Sequence, residues 1–477
     1  MTSVVSAVPW SGPVDVPLAG ELDVQAACGL MHVHGRRFGR PTALGLDYAS
    51  IVAAELDSIG ALALEVARLR GVPVRTVSTS VAQAGLLAVS QYLAAATADE
   101  PESVGEGVGG PPFLSVDGVA FEVEALDAEV WRRFWAELDA DPGVVAGAWR
   151  PFQHRFATAT CAVPGELTGL TARLPITRLE QVAAVTGMTL VRVANRAVDD
   201  LPPYRIRALG TAPVSTAGEL PDAGELRGVG VLRRAGELPL SGVVVLESCR
   251  RVQGPMAGHL LWQLGASVVR VEPPGGDPLR GVPPMSGDVS ARFHALNRGK
   301  RVVEVDLGTV AGRRELLELA SGVDVFLHNW APGKAASWGL TARDVARARP
   351  GVVYAHASGW GDALGPRPPL GTDFVVQAHA GVPPSLMTIV DVFGGVVCAR
   401  GVVEAIARRI RSGVGQSVAS SLLSAASRMN AQATRRCTAP LSVPVCTDLA
   451  MLGRDPRFSR ALVRDGCVVP VSAWEFG

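Results

Sequence analysis

The stretch VVVLESCRRVQGPMAGHLLWQLGASVVRVEPP, from Val243 to Pro274, decides the fold class of this chain. Its first six residues are a short apolar run bounded by polar residues, which is typical of a buried β-strand. GPMAGHLLWQLG predicts a helix that opens at Gly-Pro with Pro255 at its first position, and SVVRVE predicts the next strand. A strand, a helix and a strand in this order predict two parallel strands joined by a crossover helix.

The same alternation continues downstream. KRVVEVDL, VDVFLHNW and GVVYAHASGW predict further strands, and segments such as VAGRRELLELAS predict helices between them. The expected fold class is therefore α/β, with a doubly wound, Rossmann-like parallel sheet as the large domain. FLSVDGVAFEVEAL predicts two strands around an Asp-Gly turn and AEVWRRFWAELDA predicts a helix, so a small α+β domain is expected before the large one.

Bulk composition fits a soluble globular protein of two or three domains. The chain has 477 residues, of which 48% are hydrophobic and 19% charged, and its formal net charge is zero. This balance argues against nucleic acid or an anionic membrane surface as the main partner. The seven cysteines include no C-x-x-C pair, which favours buried thiols in a reducing compartment. The N-terminal segment has no basic region of a signal peptide and no apolar stretch is long enough to span a membrane, so a cytoplasmic location is expected.

Two similar segments indicate an internal duplication. PLAGELDVQAACGL (Pro17 to Leu30) and PLGTDFVVQAHAGV (Pro369 to Val382) align without gaps, with Glu21 over Asp373. An Ala/Val-rich helix is predicted after each, followed by a V-x-x-S segment, at 77–80 in the first copy and 418–421 in the second. We further align GLDYAS (45–50) with IVDVFGG (389–395), which places Asp47 over Asp391. Tandem duplication explains these matches better than chance.

The copies differ between their two motifs. The first carries MHVHGRRFGRPTALG, for which we predict a hairpin, and the second has the shorter PPSLMT. The predicted organisation is the end of the first copy with its helices (1–100), a small α+β domain (113–205), a linker (206–242), the Rossmann-like domain (243–435) and a C-terminal helical tail (436–477).

Residues Ser248 to Gly281, SCRRVQGPMAGHLLWQLGASVVRVEPPGGDPLRG, resemble the opening of family III CoA-transferases, which include formyl-CoA transferase, carnitine CoA-transferase and α-methylacyl-CoA racemase. FHALNRGKRVVEVDL, VDVFLHNWAPG with WGL, and RPGVVYAHASGWG extend the resemblance over residues 243 to 430, and residues 8 to 205 more weakly resemble the family's second half. The chain thus resembles two fused, permuted family members. The resemblance implies that 243–435 binds CoA and that the protein forms a homodimer or an intrachain pseudo-dimer.

The resemblance also implies a mechanism. The family's transferases use an aspartate that takes the acyl group from a thioester as a mixed anhydride and then carries CoA as an aspartyl thioester. The matching residues are Asp391 and Asp47, each at the start of a predicted helix whose N–H groups favour an anion. We favour Asp391 because it directly follows the CoA-binding half, whereas Asp47 keeps the predicted hairpin before it. The alternative is an N-cap role for either aspartate.

The racemases of this family place a histidine before the acid of the repeated motif. Here Thr372 precedes Asp373, and Gly20 precedes Glu21, so one base for proton transfer at an α-carbon is missing. Asp373 is expected to be a polar support residue of the catalytic site or simply a helix cap. His32 and His34 lie two residues apart without an accompanying acid or cysteine cluster, so no metal site is expected.

For CoA, the resemblance points to three groups of residues. The cationic side chains would meet the phosphates through charge-assisted bonds, and the aromatic side chain would stack on adenine. The alternatives to CoA binding are that NRGK is a solvated turn and that the tryptophan belongs to the core. The predicted residues are Arg250, Arg251, Val252, Gln253 and Gly254; Asn297, Arg298 and Lys300; and Asn329 and Trp330.

The expected function is therefore transfer of CoA between an acyl-CoA and a carboxylic acid. Two alternatives stay open at this stage. One is a racemase or isomerase acting on CoA thioesters, and the other is a non-catalytic protein that binds them. The identity of the acyl group and of the acceptor does not follow from the sequence.

Overall fold

A computed structural model describes residues 8–105, 110–198, 201–210, 237–432 and 440–477. The helices are α1 (Glu21–Ala27), α2 (Leu30–Gly35), α3 (Tyr48–Leu69), α4 (Val81–Ala96), α5 (Ala128–Ala136), α6 (Pro142–Gln153), α7 (Arg155–Thr158), α8 (Gly165–Thr171), α9 (Ile176–Thr186), α10 (Gln253–Gln263), α11 (Ala291–Asn297), α12 (Val310–Ala320), α13 (Lys334–Trp338), α14 (Ala342–Ala348), α15 (Asp373–Ala380), α16 (Ile389–Ser412), α17 (Leu422–Gln432) and α18 (Leu449–Leu452).

The strands are β1 (Val77–Ser78), β2 (Phe113–Leu114), β3 (Ala120–Glu124), β4 (Thr189–Arg192), β5 (Tyr204–Ala208), β6 (Val244–Ser248), β7 (Ser267–Glu272), β8 (Met285–Ser286), β9 (Val289–Ser290), β10 (Arg301–Glu304), β11 (Val325–His328), β12 (Val353–Ser358), β13 (Gln416–Ser421), β14 (Leu462–Asp465), β15 (Cys467–Pro470) and β16 (Glu475–Phe476). Short 3₁₀ turns cover Arg36–Phe38, Pro278–Gly281 and Pro456–Phe458.

The large domain is built on a seven-stranded sheet. Its strand order is β10-β7-β6-β11-β12-β13-β5, and every pair is parallel except β13 with β5. The chain moves outward from β6 through β7 to β10, then returns to β11 on the other side of β6. Strands β6 and β11 therefore flank a topological switch point, where a crevice opens beyond their carboxyl ends. The mainly parallel sheet predicted from the sequence is confirmed.

The two faces of this sheet belong to different cores, as a doubly wound fold requires. On β6, Val245 packs in the core that contains α10 and α16, whereas Val244 and Leu246 pack in the core that contains α12 and α14. All five residues of β6 are buried, which explains the apolar run Val243 to Leu246 that the sequence shows there.

The segment predicted as the first copy packs against the segment predicted as the second. Helix α3 lies along α16, and Tyr48 Oη donates a hydrogen bond to the carbonyl oxygen of Ile389 over 2.7 Å. Glu55 on α3 forms ion pairs with Arg400 on α16 and Arg428 on α17. One hydrophobic core runs through both copies. The two copies therefore form one continuous body.

A separate antiparallel sheet stands between these parts in the sequence. It has the order β2-β3-β4, and α5 carries the buried Trp131, Phe134 and Trp135 on one face. The predicted strands around Asp117-Gly118 are present as β2 and β3. Strand β5, at 204–208, joins the large sheet beside β13, so the structure ends the small sheet before the predicted boundary at residue 205. Most of the predicted linker, 211–236, lies outside the described residues.

Two predicted elements are wrong. MHVHGRRFGRPTALG contains α2 and a 3₁₀ turn in place of a hairpin, because buried residues of α2 pack on the neighbouring helices. Within 440–477, the predicted helical tail contains only the short α18, followed by the β14–β15 hairpin and β16, which pairs with β1. Helix α10 begins at Gln253, two residues before the predicted start, so Pro255 is its third residue and not its first. No helix among the described residues meets the length and apolarity that a membrane crossing needs.

Candidate active site

A cavity of about 320 Å³ opens where three regions of the chain meet. The loop after β6 and the turn at 277–282 form one wall, and the first turns of α15 and α16 form the second. The third wall comes from the end of β3 and the junction of α6 with α7. Asp373 and Asp391, both predicted from the sequence, line this cavity together with Arg250, Arg251 and Val252.

Asp391 lies in the first turn of α16 and is half-buried. Its backbone N–H donates to Oδ2 of Asp373 over 2.6 Å. Asp373 is itself buried at the start of α15, and its other carboxylate oxygen accepts a hydrogen bond from Nε2 of Gln377. Asp373 thus anchors the N-terminus of α16 and leaves the carboxylate of Asp391 directed to the cavity wall that it lines.

Burial raises the pKa of Asp391 to about 7, while the Arg251 charge lowers this pKa and Glu124 raises it. Burial, followed by the nearby Asp391, raises the pKa of Asp373 well above its usual value, and the hydrogen bonds from Gln377 and the backbone oppose this shift. A carboxylate that titrates near neutrality inside a cavity is typical of a functional group.

The first copy contains the same framework with a different residue at this position. Glu21 accepts hydrogen bonds from the N–H groups of Ala49 (3.0 Å) and Ser50 (2.8 Å), as Asp373 does at the start of α16. The hydroxyl of Ser50 also donates to Glu21 over 2.6 Å. Ser50 is therefore the structural counterpart of Asp391.

Asp47 instead corresponds to Thr388. Both residues take the N-cap position, Asp47 at φ −80° and ψ 59° and Thr388 at φ −78° and ψ 58°. The alignment of Asp47 with Asp391 is thus wrong by three residues. Asp47 lies at a helix cap, as the alternative interpretation allowed, and it does not line the cavity.

A rigid loop between β6 and α10 presents Arg250 and Arg251. The side chain of Asn329 accepts from the N–H of Arg250 over 2.9 Å and donates to its carbonyl oxygen over 2.8 Å. Arg251 has a φ of 65°, a left-handed conformation that costs a non-glycine residue about 1–2 kcal/mol. A Cβ on Gly254 would lie 2.4 Å from Sγ of Cys249, so this tight loop needs glycine there.

The wall from the first half of the chain contains a buried ionic group. Thr372 Oγ1 donates to Oε2 of Glu124 over 2.6 Å, and Nη2 of Arg155 lies 3.2 Å from the same oxygen. The guanidinium of Arg155 lies between the rings of Phe152 (3.8 Å) and Phe374 (4.6 Å). Both charges are thus paired within the protein, and Thr372 joins the two halves of the chain beside Asp391.

The opposite wall is fixed by an ion network below the sheet edge. Arg270 contacts Glu247 (2.6 Å), Glu272 (3.1 Å) and Asp277 (2.5 Å), and Arg280 contacts Glu272 over 2.6 Å. Asp277 and Leu279 line the cavity. Because every carboxylate in this network has a cationic partner, the network holds the cavity wall in place.

The comparisons with known proteins identify the large domain. Residues 240–445 match the sequence profile of CoA-transferase family III. This segment is therefore similar to CoA-transferase family III.

Individual relatives match about two fifths of this chain. The chain is 36% identical over 196 residues to a probable fatty acyl-CoA transferase of Mycobacterium tuberculosis, covering 38% of this chain and 49% of the relative. It is 31% identical over 195 residues to an acetyl-CoA:oxalate CoA-transferase of Acetobacter aceti, covering 38% and 50%. A succinate–glutarate CoA-transferase of Agrobacterium fabrum is 33% identical over 205 residues, covering 39% and 51%. The chain spans about half the length of these relatives.

Solved structures give matches of similar extent. A crystal structure of the Mycobacterium tuberculosis relative is 35% identical, with 41% of this chain and 58% of that chain covered and a TM-score of 0.38. A CaiB/BaiF family protein from Brucella suis is 30% identical, with 40% and 55% covered and a TM-score of 0.37.

Three predicted CoA ligands of the family III segment have internal partners. The ammonium of Lys300 is fully buried and donates to Glu247 (2.8 Å), the Pro255 carbonyl (2.8 Å) and Asn297 (3.0 Å). Asn297 also donates to the Phe293 carbonyl, and Arg298 donates to the carbonyls of Pro470 and Val471. These contacts contradict direct phosphate binding by Lys300, since all three of its donors are used. Through Arg298, NRGK joins the sheet to the C-terminal hairpin.

The remaining predicted residues lie at the mouth of the crevice or support it. Asn329 holds the backbone of Arg250, as described above. Trp330 donates its ring N–H to Ser248 over 3.1 Å and packs against Phe326 and Trp338, so its contacts are those of a partly buried core residue. Gln253 is buried at the start of α10 and does not line the cavity.

Sequence reasoning missed the wall supplied by the first half of the chain. Glu124, His154, Arg155 and Phe156 line the cavity, but no motif marks them. The sequence does contain the signal for the correct alignment of the copies. The two V-x-x-S segments are 341 residues apart, whereas Asp47 and Asp391 are 344 residues apart. Aligning the preceding helices without gaps at the 341-residue offset places Ser50 against Asp391.

His32 and His34 lie on α2, two residues apart and thus on different faces of a helix. Nδ1 of His34 lies 2.9 Å from Oγ of Ser385, and burial lowers the pKa of His34 to about 4. Among the described residues, no group of three or more His, Cys, Asp or Glu side chains could hold a metal ion.

Proposed function

We propose that this protein is a CoA-transferase that moves CoA between an acyl-CoA thioester and a carboxylic acid, with Asp391 as the nucleophile. The observation that carries the proposal is a single accessible carboxylate, Asp391, in a cavity of the family III segment. The relatives that match this segment are named as transferases of CoA between acids, which supports the same reaction class.

The crevice at the switch point is the proposed CoA site. Parallel α/β sheets bind ligands beyond the carboxyl ends of the strands, at the point where the strand order reverses. Arg250 is exposed there beside Asn329, and the N-terminus of α10 lies behind the loop. Arg250 and these N–H groups would bind phosphate, and the acyl end of the ligand would reach the cavity that contains Asp391.

The proposed chemistry runs in two symmetrical halves. An oxygen of Asp391 attacks the thioester carbon, the C–S bond breaks, and CoA leaves as a thiolate, which gives a mixed anhydride. The thiolate then attacks the aspartyl carbon, and the first acid leaves as a carboxylate. An acceptor carboxylate attacks the resulting aspartyl thioester, and the released thiolate attacks the acceptor's acyl carbon, so that Asp391 is regenerated. The half-buried position of Asp391 protects the anhydride from bulk water.

The test is chemical capture of the acyl intermediate. We expect incubation with acetyl-CoA and hydroxylamine to convert Asp391 into a hydroxamate, detected by mass spectrometry of the peptide that contains it. Asp391→Asn should abolish capture. Asp47→Asn is the matched control and should leave capture at Asp391 intact, because Asp47 lies outside the cavity.

Absence of any hydroxamate together with retained acetyl-CoA binding would reject the proposal and favour a non-catalytic thioester-binding protein. Deuterium exchange at the α-carbon of 2-methylacyl-CoA without hydroxamate formation would instead indicate a racemase. The position that precedes Asp373 is occupied by Thr372, whose hydroxyl is bonded to Glu124, so no base is supplied there.

A further inference from the structure

We propose that the acyl groups carried by this protein end in a second carboxylate, and that Arg251 binds this carboxylate. The inference rests on the proposed function and assigns the substrate class of the same cavity. It changes the role expected for Arg251, from a ligand of the CoA phosphates to a ligand of the acyl group.

The first step concerns where the charge of Arg251 acts. Arg251 lines the cavity, and its charge is the one that lowers the pKa of Asp391. It therefore acts at the reacting end of the site. In an acyl-CoA the long pantetheine arm separates the thioester from the phosphates, so a cation close to Asp391 faces the acyl end of the ligand.

The second step concerns which charges in the cavity are available. Arg155 is paired with Glu124, and Asp277 is paired with Arg270. In the described parts of the chain, no carboxylate forms an ion pair with Arg251, which is exposed. Among the described residues, Arg250 and Arg251 are thus the cations of this cavity that can accept an anionic group from a ligand without breaking an internal pair, and of the two it is Arg251 whose charge acts on Asp391.

The third step concerns the surface next to Arg251. Phe156, Val252, Leu279 and Val282 line both this cavity and the smaller cavity that adjoins it at Arg251. An apolar surface beside a cation matches an acyl chain whose methylene groups end in a carboxylate. A hydrocarbon chain alone would leave the cation facing an apolar group.

The fourth step concerns the backbone. Arg251 adopts a left-handed conformation in a loop that Asn329 clamps at the preceding residue. Strain of this kind persists where the surrounding structure imposes it, and it is found preferentially at ligand-binding positions. The clamp therefore presents Arg251 to the cavity before the ligand arrives, which lowers the entropic cost of binding.

The experiment compares succinyl-CoA with butyryl-CoA, which has the same number of acyl carbons and no terminal charge. Acetate is the acceptor in both cases, and CoA transfer is followed as acetyl-CoA formation. All assays use the full chain at pH about 8.5, so that Asp391 is ionised in every variant. The readout is the ratio of the two kcat/KM values, because any change common to both substrates cancels in it.

We expect the wild-type chain to prefer succinyl-CoA by about tenfold or more, as expected for one charge-assisted contact. Arg251→Met should remove most of this preference by lowering kcat/KM for succinyl-CoA alone, and Arg251→Lys should retain part of it. Arg250→Met is the matched control from the same loop, and it should weaken both substrates by one factor because it removes a proposed phosphate contact. Thermal melts establish that each variant folds.

Equal losses on both substrates in Arg251→Met, or a wild-type chain that transfers butyryl as well as succinyl, would overturn the inference and leave the proposed function intact. Absence of transfer from both thioesters and of a hydroxamate at Asp391 would reject the proposed function itself.

Discussion

At the residue scale, the proposed chemistry depends on the protonation of Asp391. Burial raises its pKa to about 7, so a large part of the carboxyl group is protonated at neutral pH and cannot attack a thioester. Arg251 favours the ionised form and Glu124 disfavours it. Because the proposed mechanism needs an ionised Asp391, these two side chains should control the fraction of reactive protein.

We therefore expect kcat/KM for an uncharged acyl-CoA to rise with pH through a pKa of about 7. Arg251→Gln should move this rise to higher pH, since it removes the charge that stabilises the carboxylate, and Glu124→Gln should move it to lower pH. Initial-rate profiles between pH 5 and about 9 measure both shifts. A rise centred near the ordinary aspartate pKa would contradict the burial of Asp391.

The free energy of unfolding should decrease as Asp391 ionises, whereas the reaction rate should increase. The pKa of Asp391 is higher in the folded chain than in the unfolded chain, so the folded state loses stability as pH rises from about 4 to about 7, and the full penalty remains above that range. Asp391→Asn should thus stabilise the protein at pH 8 by about 1–2 kcal/mol, with the gain vanishing below pH about 4. Asp373→Asn is the contrasting variant and should destabilise at pH 8, because Asp373 accepts a hydrogen bond on each carboxylate oxygen and an amide would turn its NH2 group towards one of the two donors. Urea unfolding at several pH values tests both; a pH-independent gain would refute this origin.

At the element scale, the two predicted copies share an acid that anchors a long helix and differ in one side chain in the first turn of that helix. The acid that anchors the long helix is Glu21 in one copy and Asp373 in the other. The residue whose N–H donates to this acid is Ser50 in the first copy and Asp391 in the second. Ser50→Ala should cost about 1–2 kcal/mol, because it removes a donor from the buried Glu21. Capture of an acyl group at Asp391 should be unchanged in this variant, and a loss of capture without a loss of stability would show that the first copy takes part in the chemistry.

Lys300 tests the reassignment of NRGK. Lys300→Met leaves Glu247 with one cation fewer in a fully buried site, so we expect a loss of about 3 kcal/mol or more in the free energy of unfolding. Urea titration measures this loss. A stable variant whose only defect is a higher KM for acyl-CoA would restore the phosphate-binding role predicted from the sequence.

The sequence was informative about elements and much less about the site. Apolar runs located the strands of the large sheet, because a strand buried on both faces consists mainly of apolar residues. The hairpin predicted after Gly29 is wrong, because this segment forms α2 and packs against neighbouring helices despite its local turn signals. Glu124, His154 and Arg155 reach the cavity through tertiary contacts between distant segments, and no spacing in one sequence encodes such contacts.

At the scale of the whole molecule, one core passes through the first copy, the small antiparallel sheet and one face of the large sheet. We therefore expect a single cooperative unfolding transition despite the length of the chain. Far-ultraviolet circular dichroism and tryptophan fluorescence should give coincident urea curves, since the nine tryptophans are spread along the chain and the helices dominate the dichroism. A fluorescence transition at lower urea would show that part of the chain unfolds independently.

The contact between Thr372 and Glu124 joins two walls of the reaction chamber that are carried by a single covalent chain. The assembly of those walls is therefore independent of protein concentration. Turnover per chain should stay constant as the protein is diluted, whereas a chamber formed between separate subunits would fall apart below its dissociation constant.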